Sequence, residues 1–286
     1  MAPFDGYRLE RLEAGCAEEG VSLSAEAGWN QTAEDWRLML TLGECTGLRD
    51  TAGRLVASAL VLPHGEDLAW ISMVLVAAGH RRRGLASELL RRAVARIRAS
   101  GRAAVLDATP AGERVYRPLG FAEVYRLQRL EARLEVPPPA AGDAAIRKME
   151  ETDLAGAVAY DRPIFGADRS PVLAHLRGRC PEQALIAERD GRVVGFALVR
   201  DGREALQLGP LVADDAEIAR ALAAAVLRDL RGRIFLDVAE RQVELAAWLA
   251  RLGFAVQRPF TRMVLGRQGL PDDPARIFAS AGPELG

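Results

Sequence analysis

The run His80-Arg81-Arg82-Arg83-Gly84-Leu85-Ala86-Ser87 has the residue types of an anion site. It falls between a strand-like stretch, Leu68 to Val76, and a helix-like one, Leu85 to Ser100. A helix start leaves backbone N–H groups without intrahelical partners, and the helix dipole adds positive potential there. Gly84 lets a ligand approach the backbone closely. Arg81, Arg82 and Arg83 add charge for a diphosphate or a 3′-phosphate. Three consecutive arginines also occur as a solvated face or a nucleic-acid patch, but their place between strand and helix favours a phosphate cradle. No Gly-x-x-x-x-Gly-Lys is present, so the cradle is not a nucleotide-triphosphatase loop.

The flanking elements must position that run. Residues 7–13 read as a first strand and 14–27 as a helix. Thr32 or Asn30 can cap a second helix running to Thr41, with Glu34 and Asp35 in its first turn. Trp29 and Trp36 beside it are either anchors in the core or one wall of a binding pocket. Strands are expected at 44–50, 54–62 and 68–76, the last apolar on both faces as a central strand should be. The helix at 85–100 carries one apolar stripe, Leu85, Leu89, Leu90, Ala93, Val94 and Ile97. A buried strand at 103–107 ends in Asp107. Thr109 caps a short helix begun by Pro110 and ended by Gly120, and a long strand, 121–134, follows.

The Pro-rich stretch 137–144 reads as a linker. It divides the chain into a first domain, 1–136, and a second, 145–266, with a Gly/Pro-rich tail at 267–286 expected to hold at most one helical turn. In the second half strands are expected at 145–149, 184–189, 192–200, 204–212, 233–238 and 254–266, and helices at 151–161, 168–179, 215–230 and 241–251.

Composition excludes several classes. Hydrophobic residues are 49% and charged residues 27%, ordinary for a soluble globular chain. The formal net charge of −1 argues against a nucleic-acid binder. Basic residues are nearly all arginine, with Lys148 the only lysine. Cys16, Cys45 and Cys180 are scattered without metal-ligand spacing, which suggests reduced thiols and a cytoplasmic location, with no metal. No apolar run reaches the roughly 18 residues of a membrane span, and the N-terminus lacks the form of a signal peptide.

The two halves can be laid over each other. Val105-Leu106-Asp107 matches Phe235-Leu236-Asp237, and Leu119-Gly120-Phe121 matches Leu252-Gly253-Phe254. Val74-Leu75-Val76-Ala77 matches the stretch ending Leu211-Val212-Ala213. The loop after that strand differs. Where the first half has the arginines and Gly84, the second has Asp214-Asp215-Ala216-Glu217, acids that would repel a phosphate. The first half is therefore the candidate catalytic half, and the second a degenerate copy.

Arg81-x-x-Gly84-x-Ala86, after a strand and before a helix, resembles the acetyl-CoA pyrophosphate motif of the GNAT N-acetyltransferases. Tyr116-Arg117-Pro118-Leu119-Gly120-Phe121 resembles that family's second signature, Tyr-x-x-x-Gly-Phe. Phe165-Gly166-Ala167-Asp168-Arg169, Leu208 to Ala213, Arg262-Met263, Gly28 to Thr32 and Asp107 to Gly112 resemble a tandem subgroup of the same family. The resemblance implies an α/β (α+β) fold of two tandem GNAT-like domains. Each would have a mixed, mostly antiparallel central sheet flanked by helices.

It also implies direct transfer of an acetyl group from acetyl-CoA to a primary amine of a small molecule. By that resemblance Val74, Leu75 and Val76 would carry the pantetheine arm and supply an oxyanion N–H. Arg81 through Ser87 would hold the diphosphate. Tyr116 would protonate the leaving thiolate, unless it is simply a core aromatic. The amine, with a pKa of about 10, must lose a proton before attack. Asp107, Asp35 or His80 could assist; the central-strand Glu that would be the obvious base is replaced by Ser72 and Met73. Trp29, Asn30, Asp35, Trp36 and Asp107 are the expected acceptor-side residues. If Asp35 and Asp107 both face the pocket, a cationic acceptor is favoured. A CoA-responsive binding protein and a transferase of another acyl group remain as rival readings. So do a monomer, with the halves paired as a pseudo-dimer, and a dimer.

Overall fold

The computed structural model describes residues 4–139 and 145–286. Residues 140–144, most of the expected linker, lie outside the described residues. The first half runs β1 (Arg8–Leu12), α1 (Ala17–Glu26), α2 (Ala33–Leu42), β2 (Glu44–Arg49), β3 (Leu55–His64), β4 (Leu68–Val76), α3 (Leu85–Ala99), β5 (Ala103–Ala108), α4 (Pro110–Tyr116) and β6 (Ala122–Leu134). The second runs β7 (Ala145–Lys148), α5 (Leu154–Phe165), α6 (Ser170–Arg179), β8 (Leu185–Arg189), β9 (Arg192–Arg200), β10 (Leu206–Ala213), α7 (Ala216–Asp229), β11 (Gly232–Ala239), α8 (Val243–Arg251), β12 (Ala255–Leu265) and β13 (Ile277–Ser280).

Local chemistry accounts for most of these elements. The apolar stripe of α3 is buried while Arg91, Arg92 and Arg96 stay exposed. Thr32 and Asp35 cap α2 reciprocally, each side chain taking the other's backbone N–H. Thr109 accepts from Gly112 N–H at the start of α4. Trp36 is fully buried against Gly20, where an added Cβ would sit 2.4 Å from the indole. Gly20→Ala is therefore expected to cost about 1–3 kcal/mol in urea unfolding, because the indole cannot retreat from a packed core. A loss under 0.5 kcal/mol would contradict that packing.

The strands form one sheet in the order β1-β2-β3-β4-β5-β12-β6-β11-β13-β10-β9-β8-β7. Most pairs are antiparallel; β4–β5 and β10–β11 are parallel. Read from either end the order is the same once β1–β6 are matched with β7–β12. The pseudo-twofold lies between β6 and β12, and among the described residues β13 is the one unmatched strand. Each half's last strand lies within the other half's territory. β12 pairs with β5 and β6, and β6 pairs with β11. The mixed, mostly antiparallel sheet agrees with the expected fold class, but the halves share one sheet instead of holding one each.

Buried ion pairs lock this exchange. Asp107 on β5 faces its register partner Arg262 on β12, with both guanidinium–carboxylate bonds at 2.8 Å. The pseudo-symmetric pair is Asp237 on β11 with Arg129 on β6, at 2.7 and 2.8 Å. Trp70 on β4 stacks on Phe165 and donates its indole N–H to the Pro283 carbonyl at 3.1 Å.

The tail is not the loose appendage its composition suggests. Residues 277–286 are largely buried, and β13 pairs with both β10 and β11. Those two strands meet only at Leu206↔Ile234 and Gln207↔Phe235 before diverging. β13 enters the gap and supplies their missing backbone partners.

Candidate active site

The first half has the corresponding gap. β4 and β5 pair only from Leu68↔Ala103 to Trp70↔Val105. Beyond Trp70 the β5-facing edge of β4 has no strand partner among the described residues. A bulge marks the divergence. Leu60 opposes Ser72 and Ser58 opposes Leu75, so Met73 and Val74 together face Ala59. Met73 takes a left-handed φ of 49°, uncommon outside glycine, and Ser58 Oγ donates to its carbonyl at 2.7 Å. A bulge bends its strand and re-aims the groups on it.

The slot opens outward into a groove of about 580 Å³. Val74, Leu75 and Val76 form its floor and Leu85, Ala86 and Ser87 its far end, with Arg81, Arg82 and Gly84 beside them. Gly84 is the α3 N-cap at φ 79° and offers no side-chain cap, so the first-turn N–H groups keep their donors for a ligand. An added Cβ there would meet no protein atom within 4 Å. Arg83 turns away instead; its guanidinium donates to Tyr7 Oη at 3.0 Å and to the Gly79 carbonyl at 3.2 Å. His80 lines the groove and shares a 2.9 Å hydrogen bond with Tyr7.

Tyr116, at the end of α4, borders both the groove and a narrower inner pocket of about 50 Å³. It packs against Phe121 at 5.9 Å between ring centroids. Burial pushes its hydroxyl up to about 12, so at neutral pH it keeps its proton and can donate.

Trp29 and Asp107 reach the same place, Trp29 as a wall between groove and pocket. Asp107 is no free base. Both its oxygens are taken by Arg262; burial pushes its carboxyl up and Arg262 opposes that.

The other acceptor-side residues are elsewhere. Asp35 is fully buried and paired with Arg179 and Arg200, besides capping α2. Burial pushes it up, but Arg200 and Arg179 outweigh that and hold it below the usual carboxylate range. Asn30 binds the backbone of Glu204 and Ala205. Trp36 lies in the core, donating to Ser24 at 3.2 Å. The structure therefore corrects the expectation that Asp35 and Asp107 face the pocket together. A short motif shows where a helix begins; which way its first turn faces depends on the partner across the core.

In their place the inner pocket gathers residues to which the motifs assigned no role. Gln31 and Ser72 come from the first half, Arg129 from β6, Arg258 and Phe260 from β12, and Pro283 and Glu284 from the tail. Of these, Ser72 stood out in the sequence as the occupant of the absent glutamate's region, and Gln31 lay within the Gly28 to Thr32 stretch without a role assigned to it.

The second half's equivalent is closed twice. β13 occupies its slot, and Asp215, the α7 N-cap, accepts from Ile218 N–H at 2.9 Å. A carboxylate of the chain thus sits where Gly84 leaves α3 open. Asp214 binds Tyr160 and Arg276.

Known proteins share this fold. Residues 9–121 match the Acetyltransferase (GNAT) family, and residues 157–279 a second Acetyltransferase (GNAT) domain. The chain is 24% identical over 242 residues to YitH of Bacillus subtilis (strain 168), an uncharacterized N-acetyltransferase, spanning 83% of this chain and 85% of that one. A crystal structure from Pyrococcus horikoshii has the same fold, with a TM-score of 0.80 at 21% identity over 99% of this chain and 97% of that one. A tandem GNAT protein from the clavulanic acid biosynthesis pathway gives 0.63 at 16% identity, over 92% and 99%. With both halves matched and the strands ordered as a pseudo-symmetric pair, the chain belongs to the GNAT acetyltransferase family, as a tandem member.

Proposed function

We propose that the chain transfers an acetyl group from acetyl-CoA to a primary amine of a small molecule, at the β4–β5 slot of its first half. The observation that carries this is the contrast between the halves. One slot is open and continuous with an uncapped helix start; the other is filled by β13 and capped by Asp215.

In this reading the α3 N–H groups, Arg81 and Arg82 hold the diphosphate, and the pantetheine arm lies along the free edge of β4. The thioester carbonyl then sits at the bulge, where a backbone N–H of residues 74–76 meets the developing oxyanion. The amine nitrogen, having lost a proton, attacks the carbonyl carbon. The C–N bond forms, the C–S bond breaks, and the electron pair leaves with sulfur. Tyr116 gives its proton to that sulfur and recovers one from solvent. The balance is one ammonium and one thioester in, one amide, one thiol and one proton out.

Gly84→Asp would place a carboxylate and its negative charge at the α3 start, as Asp215 does at α7. Asp tolerates the left-handed conformation better than most residues, so the variant is expected to fold but to lose detectable acetyl-CoA binding in calorimetry. Tyr116→Phe is expected to bind acetyl-CoA normally and to lower kcat about 100-fold or more in a free-thiol assay. Normal activity in both variants would defeat the assignment.

A CoA-responsive binding protein would bind acetyl-CoA and release no thiol with any amine. A transferase of another acyl group would prefer propionyl- or succinyl-CoA in the same assay.

A further inference from the structure

The inner pocket carries a pattern of unmet hydrogen-bonding capacity. Glu284 Oε2, Gln31 Oε1 and Ser72 Oγ are each buried without a hydrogen-bond partner among the described residues, and all three residues line this pocket. Glu284 is 2% exposed, and Arg200 engages only its other oxygen. Buried polar atoms are rarely left alone, since desolvation is not repaid. These three are oxygens, and a carboxylate oxygen can only accept. They fit a ligand group that donates several hydrogen bonds and bears positive charge, as an ammonium does.

The same pocket holds an uncompensated cation. Arg129 is matched by Asp237, but half-buried Arg258 has no carboxylate within ion-pair distance among the described residues. Its Nε donates to neutral Gln257 at 2.7 Å. Burial, and then the neighbouring Arg129, push its pKa down, the signature of a cation short of a counter-charge. A guanidinium in such a place suits a carboxylate or a phosphate.

We propose that the acceptor is a small amine that also carries an anionic group, its ammonium seated on Glu284, Gln31 and Ser72 and its anion on Arg258. This deepens the transferase reading above and rests on it. Glu284, from the tail, and Arg258, from β12, make the second half a part of the acceptor site, so the degenerate copy selects the substrate that the first half acetylates. Seated in this way the amine also has, in Glu284 Oε2, a carboxylate oxygen that can take the proton it must lose.

The test uses matched amines titrated calorimetrically into the full-length protein saturated with CoA. The pairs are 4-aminobutanoate with butylamine, lysine with cadaverine, and 2-aminoethyl phosphate with ethanolamine. The acid-bearing member of at least one pair is expected to bind about tenfold or more tightly, and which pair discriminates separates carboxylate from phosphate. Arg258→Gln is expected to bring that ratio to within about threefold of one, and Glu284→Gln to weaken both members of the pair. CoA affinity in each variant reports that it is folded. Equal binding within every pair, no binding by any amine, or a preference that survives Arg258→Gln would each overturn the proposal. Failure of the wild-type protein to bind CoA would instead defeat the transferase reading beneath it.

Discussion

A chain ended after residue 136 is expected not to fold. In the full sheet β6 is flanked by β12 and β11, both from beyond the cut. The fragment would hold β6 with neither neighbour, an unpaired strand that includes Leu127, Leu130, Ala132 and Leu134, all buried in the intact protein. Asp107, Arg129 and Asp35 would lose Arg262, Asp237 and both arginine partners respectively. Removing one partner of a buried pair costs about 3–5 kcal/mol, so three such losses approach or exceed the 5–15 kcal/mol that holds a typical domain together. Trp70 would also lose its stacking on Phe165. Circular dichroism and urea unfolding are expected to show no cooperative transition for 1–136. A cooperative transition with acetyl-CoA binding intact would mean that β6 can close directly onto β5, and would remove the structural reason for the second half.

Arg262→Met is expected to destabilise the whole protein by about 3–5 kcal/mol, leaving Asp107 buried without its counter-charge. Arg262 also lies over Trp70, 4.6 Å from its ring, and donates to Tyr125 at 2.7 Å, so its loss also removes contacts to β4 and β6. Asp107→Leu combined with Arg262→Met is expected to recover most of the loss, because an apolar pair of similar volume carries no desolvation cost. The pH dependence has a definite sign. Burial pushes Asp107 up, and Arg262 is the main influence pulling it down. Without Arg262 the folded-state pKa rises further above the unfolded value of about 3.9. The folded state then binds the extra proton, so the variant loses stability as pH rises from the unfolded value through the raised folded value. Its deficit should therefore shrink toward pH 4. A deficit that is constant between pH 4 and 8, or a double variant no more stable than the single, would show that the pair is not the source.

Local structure was legible in the residues. The stripe of α3, the capping pair Thr32 and Asp35, Pro110 after Thr109 and the alternating strands depend on neighbours a few positions away, and each expected helix and strand is present within a few residues. The uncapped start of α3 was legible for the same reason. A glycine between a strand and a helix, with arginines before it, is a local arrangement that needs no distant partner. Even there Arg83 escaped, since its contact with Tyr7 crosses 76 positions of chain.

The residues expected on the acceptor side followed the opposite course. Trp29 and Asp107 do reach the pocket, while their companions in sequence do not: Asn30 and Asp35 bind residues of the second half, and Trp36 packs in the core. The residues that replace them, Arg129, Arg258 and Glu284, carry no spacing that a reader of the chain could use. Their meeting depends on β12 crossing between β5 and β6 and on the tail filling the β10–β11 gap. Short-range propensity and capping fix each element by itself. Long-range strand pairing, settled by which buried charges and open edges find partners, fixes which elements become neighbours. By itself the sequence determined the family, the elements and which half begins its helix on an uncapped glycine. Only the tertiary structure decided that both halves build the pocket beside it.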